Sequence, residues 1–111
     1  MSNKTSEIKF NVELDENKIP EKLKWNAEDA GISNEDTKAI LISVWDPKKK
    51  ETLKMDLWTK DMPLEEMKQF FHQTLLSMSD TFYAATNDEK MTATMRDFCA
   101  YFAEKLEIIK K

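Results

Sequence analysis

At Pro63 the hydrophobic period of this chain changes from two residues to between three and four, which sets the order of what can be built on either side. Residues 56–82 read DLWTKDMPLEEMKQFFHQTLLSMSDTF. Their first residues close an alternating strand. Leu64, Met67, Phe71, Leu75, Met78 and Phe82 then lay an apolar stripe along a helix, which Phe70 and Leu76 widen. Asp61 or Met62 is the expected cap, Pro63 falls in the first turn where its missing N–H costs nothing, and Glu65 and Glu66 sit at the positive end of the dipole. Such a stripe of methionine and aromatic side chains reads as core, and nothing in it calls for a cofactor.

A second helix follows. In TNDE, residues 86–89, the threonine oxygen is placed to accept from the N–H three residues on while Glu89 reaches back, a capping box. Met91, Met95, Phe98, Phe102, Leu106 and Ile109 repeat the three-and-four spacing, and Lys110 and Lys111 suit the negative end of the dipole. The short connection makes the helices an antiparallel pair, with Tyr83, Cys99 and Tyr101 on the border of the stripes.

Before Pro63 the pattern is that of strands. In EIKFNVEL, residues 7–14, Ile8, Phe10, Val12 and Leu14 alternate with polar residues, which predicts a half-buried strand. Residues 15–38 are too many for a structureless loop. Leu23, Trp25 and Ala27 alternate as a short extended piece, Gly31 suits a turn with positive φ, and NEDTK reads as one helical turn. Trp25 is read as a plug holding this connection on the core, with ligand stacking as the alternative. AILISVW, residues 39–45, is continuously apolar and β-branched, which predicts a central strand covered on both faces. DPKKK then makes a solvated hairpin tip, and TLKMDLW is the returning arm.

In that hairpin Ile40, Ile42 and Val44 share a face with Leu53, Met55 and Leu57. The opposite face carries Leu41, Trp45 and Trp58 among charged residues. Two readings of this second face stay open. Either residues 15–38 fold over it, with Trp25 near the other two tryptophans, or Leu41, Trp45 and Trp58 form a docking surface for another protein or a second subunit.

Chemistry is sparse. His72 is the only histidine and has no nucleophile or orienting partner nearby in sequence, so a surface or boundary role is expected of it. Cys99, the only cysteine, excludes an intramolecular disulfide and a cysteine zinc cage; a Cys-His nucleophile with His72 is the weaker reading. Paired acids such as Asp15 with Glu16 and Glu65 with Glu66 lack calcium-loop spacing, and one glycine cannot build a phosphate-cradling loop. We expect no catalytic residue, no cofactor and no metal. The net charge of −4 opposes nucleic acid and anionic lipid as partners, and no apolar run is long enough to span a bilayer. The N-terminus has no signal-peptide core, so a cytoplasmic location is expected.

The strings ELDENKIPEKLKWNAEDAG, LISVWD, DLWTKDMPLEEMKQFFHQTLLSMSDTF and DEKMTATMRDFCAYFAEKL together resemble the GldC family of gliding-motility-associated proteins, over nearly the whole chain. The resemblance implies a small cytoplasmic accessory to the machinery by which gliding bacteria move, a machinery associated with type IX secretion. It implies no enzymatic activity.

The chain is expected to form a single α+β domain, residues 1–111, with residues 1–6 and 110–111 flexible. Its small, mostly antiparallel sheet of three or four strands is followed by two antiparallel C-terminal helices packed on one face. Its expected function is non-enzymatic protein binding in support of gliding, with a homodimer as one possible form. The alternative is a chaperone-like binder of unfolded or secreted clients, since strands followed by two helices resemble the element order of the export chaperone SecB.

Overall fold

The computed structural model describes residues 3–108; Met1 and Ser2, and the expected helix-ending residues Ile109, Lys110 and Lys111, lie outside the described residues. Strands come first and helices last, an α+β order. The chain divides into two compact units, Met1–Met62 and Pro63–Lys111.

Among the described residues the first unit holds five strands in two antiparallel sheets, where the sequence predicts one sheet of three or four. β1 (Lys9–Leu14), β2 (Pro20–Ala27) and β3 (Ile32–Thr37) pair in that order, and β4 (Ala39–Asp46) pairs with β5 (Glu51–Trp58). Leu23, Trp25 and Ala27 do alternate, along β2. Val12 stands opposite Leu23 and Phe10 opposite Trp25, whose rings lie nearly parallel at 6.0 Å. Trp25 is thus held by a cross-strand stack. Leu23, only 1% exposed, is the best-buried large side chain of this sheet.

Two expectations fail here. β1 begins at Lys9, and all six of its residues are exposed, because it is an edge strand whose apolar face finds cover chiefly from β2. All of the NEDTK segment but Lys38 belongs to strand β3, paired with β2 from Leu23–Thr37 to Ala27–Ile32. Its polar composition hides it, yet a strand bordering water needs few apolar residues. Gly31 does take the left-handed conformation, φ 77°, closing a 3₁₀ turn over Glu28–Ala30.

Asp15 organises the β1–β2 turn. One carboxylate oxygen accepts from the Asn17 and Ile19 N–H groups, and the other meets Lys60 Nζ at 2.9 Å, while Lys60 N–H donates to the Pro20 carbonyl. The Lys60 hydrogen bond, then those from Ile19 and Asn17, hold the Asp15 carboxyl below its ordinary value. Lys38 first, and Thr59 second, do the same for Asp61. A depressed carboxyl contributes stability that is complete above its unfolded value of about 3.9 and disappears as pH falls through the folded value. Urea midpoints measured from neutral pH downward are expected to fall in that acid window, and Asp15→Asn to flatten the fall while lowering the neutral-pH midpoint.

The second unit is a helix pair, α1 (Leu64–Thr86) and α2 (Glu89–Lys105). Its caps differ from expectation. Pro63 occupies the N-cap of α1 without a side-chain bond, because Asp61 is engaged by Thr59 and Lys38. Asp88 caps α2 by accepting from Met91 N–H, whereas Thr86 accepts from Asp88 and donates to Phe82. Asn87 turns the chain in the left-handed conformation, φ 56°. The pair is antiparallel: His72 stacks on Phe102 at 6.3 Å and Asp80 meets Arg96 at 2.8 Å.

The helices bury Ser79, Thr92, Cys99 and Ala103, all small, while Phe71, Met78, Met91 and Phe98 of the large-residue stripes stay exposed. Cys99, expected at the border, is 2% exposed and lies at the centre. Thr92 Oγ1 is buried without a hydrogen-bond partner. An unmet buried hydroxyl costs about 1–3 kcal/mol, so Thr92→Val is expected to raise the melting temperature by a few degrees, read by calorimetry.

Candidate protein-docking hairpin

The β4–β5 hairpin owes its register to its turn. Asp46 Oδ1 accepts from the Lys48 and Lys49 N–H groups, Lys50 N–H donates to the Asp46 carbonyl at 2.8 Å, and Lys50 takes φ 55° to close the loop. Asp46 then stands opposite Glu51, and the ladder runs back to Ala39 opposite Trp58. Ile40–Leu57, Ile42–Met55 and Val44–Leu53 are directly opposed, as their shared face requires.

β4 is not central in a sheet. Its apolar run has β5 on one side, and among the described residues no strand pairs with its other side. Of this run, which reads as doubly covered, Ile40 is buried and Ala39, Leu41 and Ile42 are half-buried, while Ser43, Val44 and Trp45 are left as surface. Val44, Leu53 and Met55 are 52–57% exposed on one face. On the other, Trp45 is 59% and Trp58 53% exposed, and Leu41 is half-buried. The tryptophans stand at opposite ends of that face, roughly 20 Å apart at about 3.4 Å per residue. The Lys54–Asp56 ion pair, 2.7 Å, sits between them on β5.

Leu41, Trp45 and Trp58, the residues singled out from sequence, do share one face of the hairpin, whereas Val44, Leu53 and Met55, expected on a covered face, are exposed. The signal was present in residues 39–45, which carry no charge, proline or glycine. Edge strands of soluble monomers ordinarily carry such interruptions, and β5 does, with Glu51, Lys54 and Asp56.

The remaining candidates lie in the helix pair. Burial first, and the Asp80 charge second, push the Cys99 thiol up, which keeps it protonated and poorly nucleophilic. His72 is half-buried against Phe102. Neither lines the apolar groove of α1, about 630 Å³, bordered by Phe70, Met78, Phe82 and Met95. Among the described residues no group of three His, Cys, Asp or Glu could hold a metal ion, and no helix is long and apolar enough to cross a membrane.

Compared with known protein families, residues 20–108 match the family described as gliding motility-associated protein GldC-like. The chain belongs to this family. The match takes in both arms of the hairpin and both helices and leaves β1 outside it. No curated protein and no solved structure gives a significant match. As a GldC-like protein, the chain is associated with gliding motility.

Proposed function

We propose that this GldC-like chain serves gliding as a non-enzymatic, cytoplasmic accessory that binds another protein of the motility machinery, itself coupled to type IX secretion, through the β4–β5 hairpin. The observation that carries the reading is the exposure of Trp45 and Trp58 beside a strand edge that is uncharged from Ala39 to Trp45. Tryptophan is a favoured anchor at protein interfaces, and an open strand edge supplies backbone bonds to an added strand. Affinity capture from gliding cells tests it. Trp45→Ala and Trp58→Ala, each with retained circular dichroism, are expected to lose a motility protein that the native chain recovers. Unchanged capture by both would sink the reading.

The exposed apolar groove of α1 favours one alternative, a chaperone-like binder of unfolded or secreted clients. That alternative predicts binding to many denatured proteins, which the accessory reading does not.

A further inference from the structure

We propose that the open edge of β4 pairs with β4 of a second copy of this chain, antiparallel about a two-fold axis at Ile42. The proposal rests on the hairpin being a docking element and names one occupant of its edge.

Hydrogen-bond phase comes first. The Lys38 carbonyl accepts from Thr59 N–H at 2.9 Å, so Lys38 and Thr59 form a bonded rung, and bonded rungs alternate along an antiparallel ladder. Ile40, Ile42 and Val44 therefore turn their backbone groups toward β5. Ala39, Leu41, Ser43 and Trp45 turn theirs outward, where the Ala39 carbonyl accepts from Thr37 Oγ1 at 3.2 Å, using one of its two lone pairs, and among the described residues no strand pairs with this edge.

Self-pairing centred on Ile42 satisfies all four of these residues: Ala39 bonds Trp45 of the second copy, Leu41 bonds Ser43, and the reverse. Ile40 then faces Val44 and Ile42 faces its own equivalent, so the apolar faces of two hairpins join into one across four strands. Charge agrees at the ends, because Lys38, which also pairs with Asp61, comes opposite Asp46 of the second copy. The other face gains most. Ala39 already has Trp58 on its β5 side, and the pairing places Trp45 of the second copy on its free side. Two indoles then flank one methyl group, about 10 Å apart between strand axes and within reach of each other above it. Tryptophans at opposite ends of one hairpin thus become neighbours across the two-fold axis.

Sedimentation and thiol trapping test this together on the purified protein. The native chain is expected to double its mass across the micromolar range. Ser43→Pro removes an outward N–H without touching the β5 ladder and is expected to stay monomeric with unchanged circular dichroism. Ile42→Cys alone is expected to give a disulfide-linked dimer under mild oxidation, since facing residues there meet within disulfide range. Ile40→Cys is expected to link to Val44→Cys and not to itself. The native chain, with Cys99 buried, is expected not to link. A strictly monomeric native chain overturns the pairing, as does linking through Met55→Cys in place of Ile42→Cys, which would put the contact at β5. A monomer that still captures a motility protein through its tryptophans overturns the pairing and leaves the docking role intact. A dimer whose tryptophan variants keep every captured protein does the opposite.

Discussion

Leu23→Ala is expected to unfold the sheet unit at temperatures and urea concentrations the native chain survives. Leu23 is 1% exposed, and among the described residues the other buried apolar ones of that unit are Ala27 and Ile40. Removing most of a buried leucine side chain costs about 2–5 kcal/mol, a large fraction of the 5–15 kcal/mol that ordinarily holds a domain folded. The cost has two sources: lost transfer energy, and the cavity left between Val12 and Thr37, which flank Leu23 on the neighbouring strands. All three tryptophans lie in the first unit, so their emission reports on it directly. A shift of the emission midpoint to lower urea is the expected readout. Leu23→Met conserves volume and is expected to cost less than about 1.5 kcal/mol.

Ala103→Leu is expected to have the second largest effect, and in the other unit. Ala103 is 0% exposed, and the helices meet there through small side chains, with Cys99 one turn away at 2%. An added isobutyl group has no room unless the helices separate, and such overpacking costs about 1–3 kcal/mol. Separation would also stretch the His72–Phe102 stack and the Asp80–Arg96 ion pair, which cross the same seam. Ellipticity at 222 nm is expected to melt earlier. Ala103→Gly, which leaves the seam open, is expected to lose only about 1 kcal/mol through helix propensity. An unchanged melting curve for Ala103→Leu would mean that the seam is loose.

These two positions also indicate how legible the molecule was. Leu23 was readable, because a strand's period of two appears in a handful of residues and β2 obeys it. Ala103 was not. Periodicity weights large apolar side chains, whereas this helix contact uses alanine, serine, threonine and cysteine, which are too small to mark a stripe. Both helices and their antiparallel turn were legible from the spacing of methionine and phenylalanine, though not which face meets the other helix. β3 was invisible because ISNEDT holds one apolar residue, and polar edge strands are set by their neighbour's hydrogen bonds more than by their own composition. Residues 39–45 misled in the most informative way. Composition announced a strand covered on both faces, and the described residues supply one neighbouring strand. What reads as a central strand in sequence is an edge strand among the described residues.

For the hairpin as a docking element, the most direct measurement is site-specific photocrosslinking in gliding cells. A benzophenone amino acid would replace Trp45 or Trp58 on the hairpin, and in a parallel strain Tyr101, which is equally exposed on α2 at 54%. Adducts to a motility protein or to a second copy of this chain, formed from the hairpin positions and not from Tyr101, are the predicted result. Adducts formed from Tyr101 alone would contradict it.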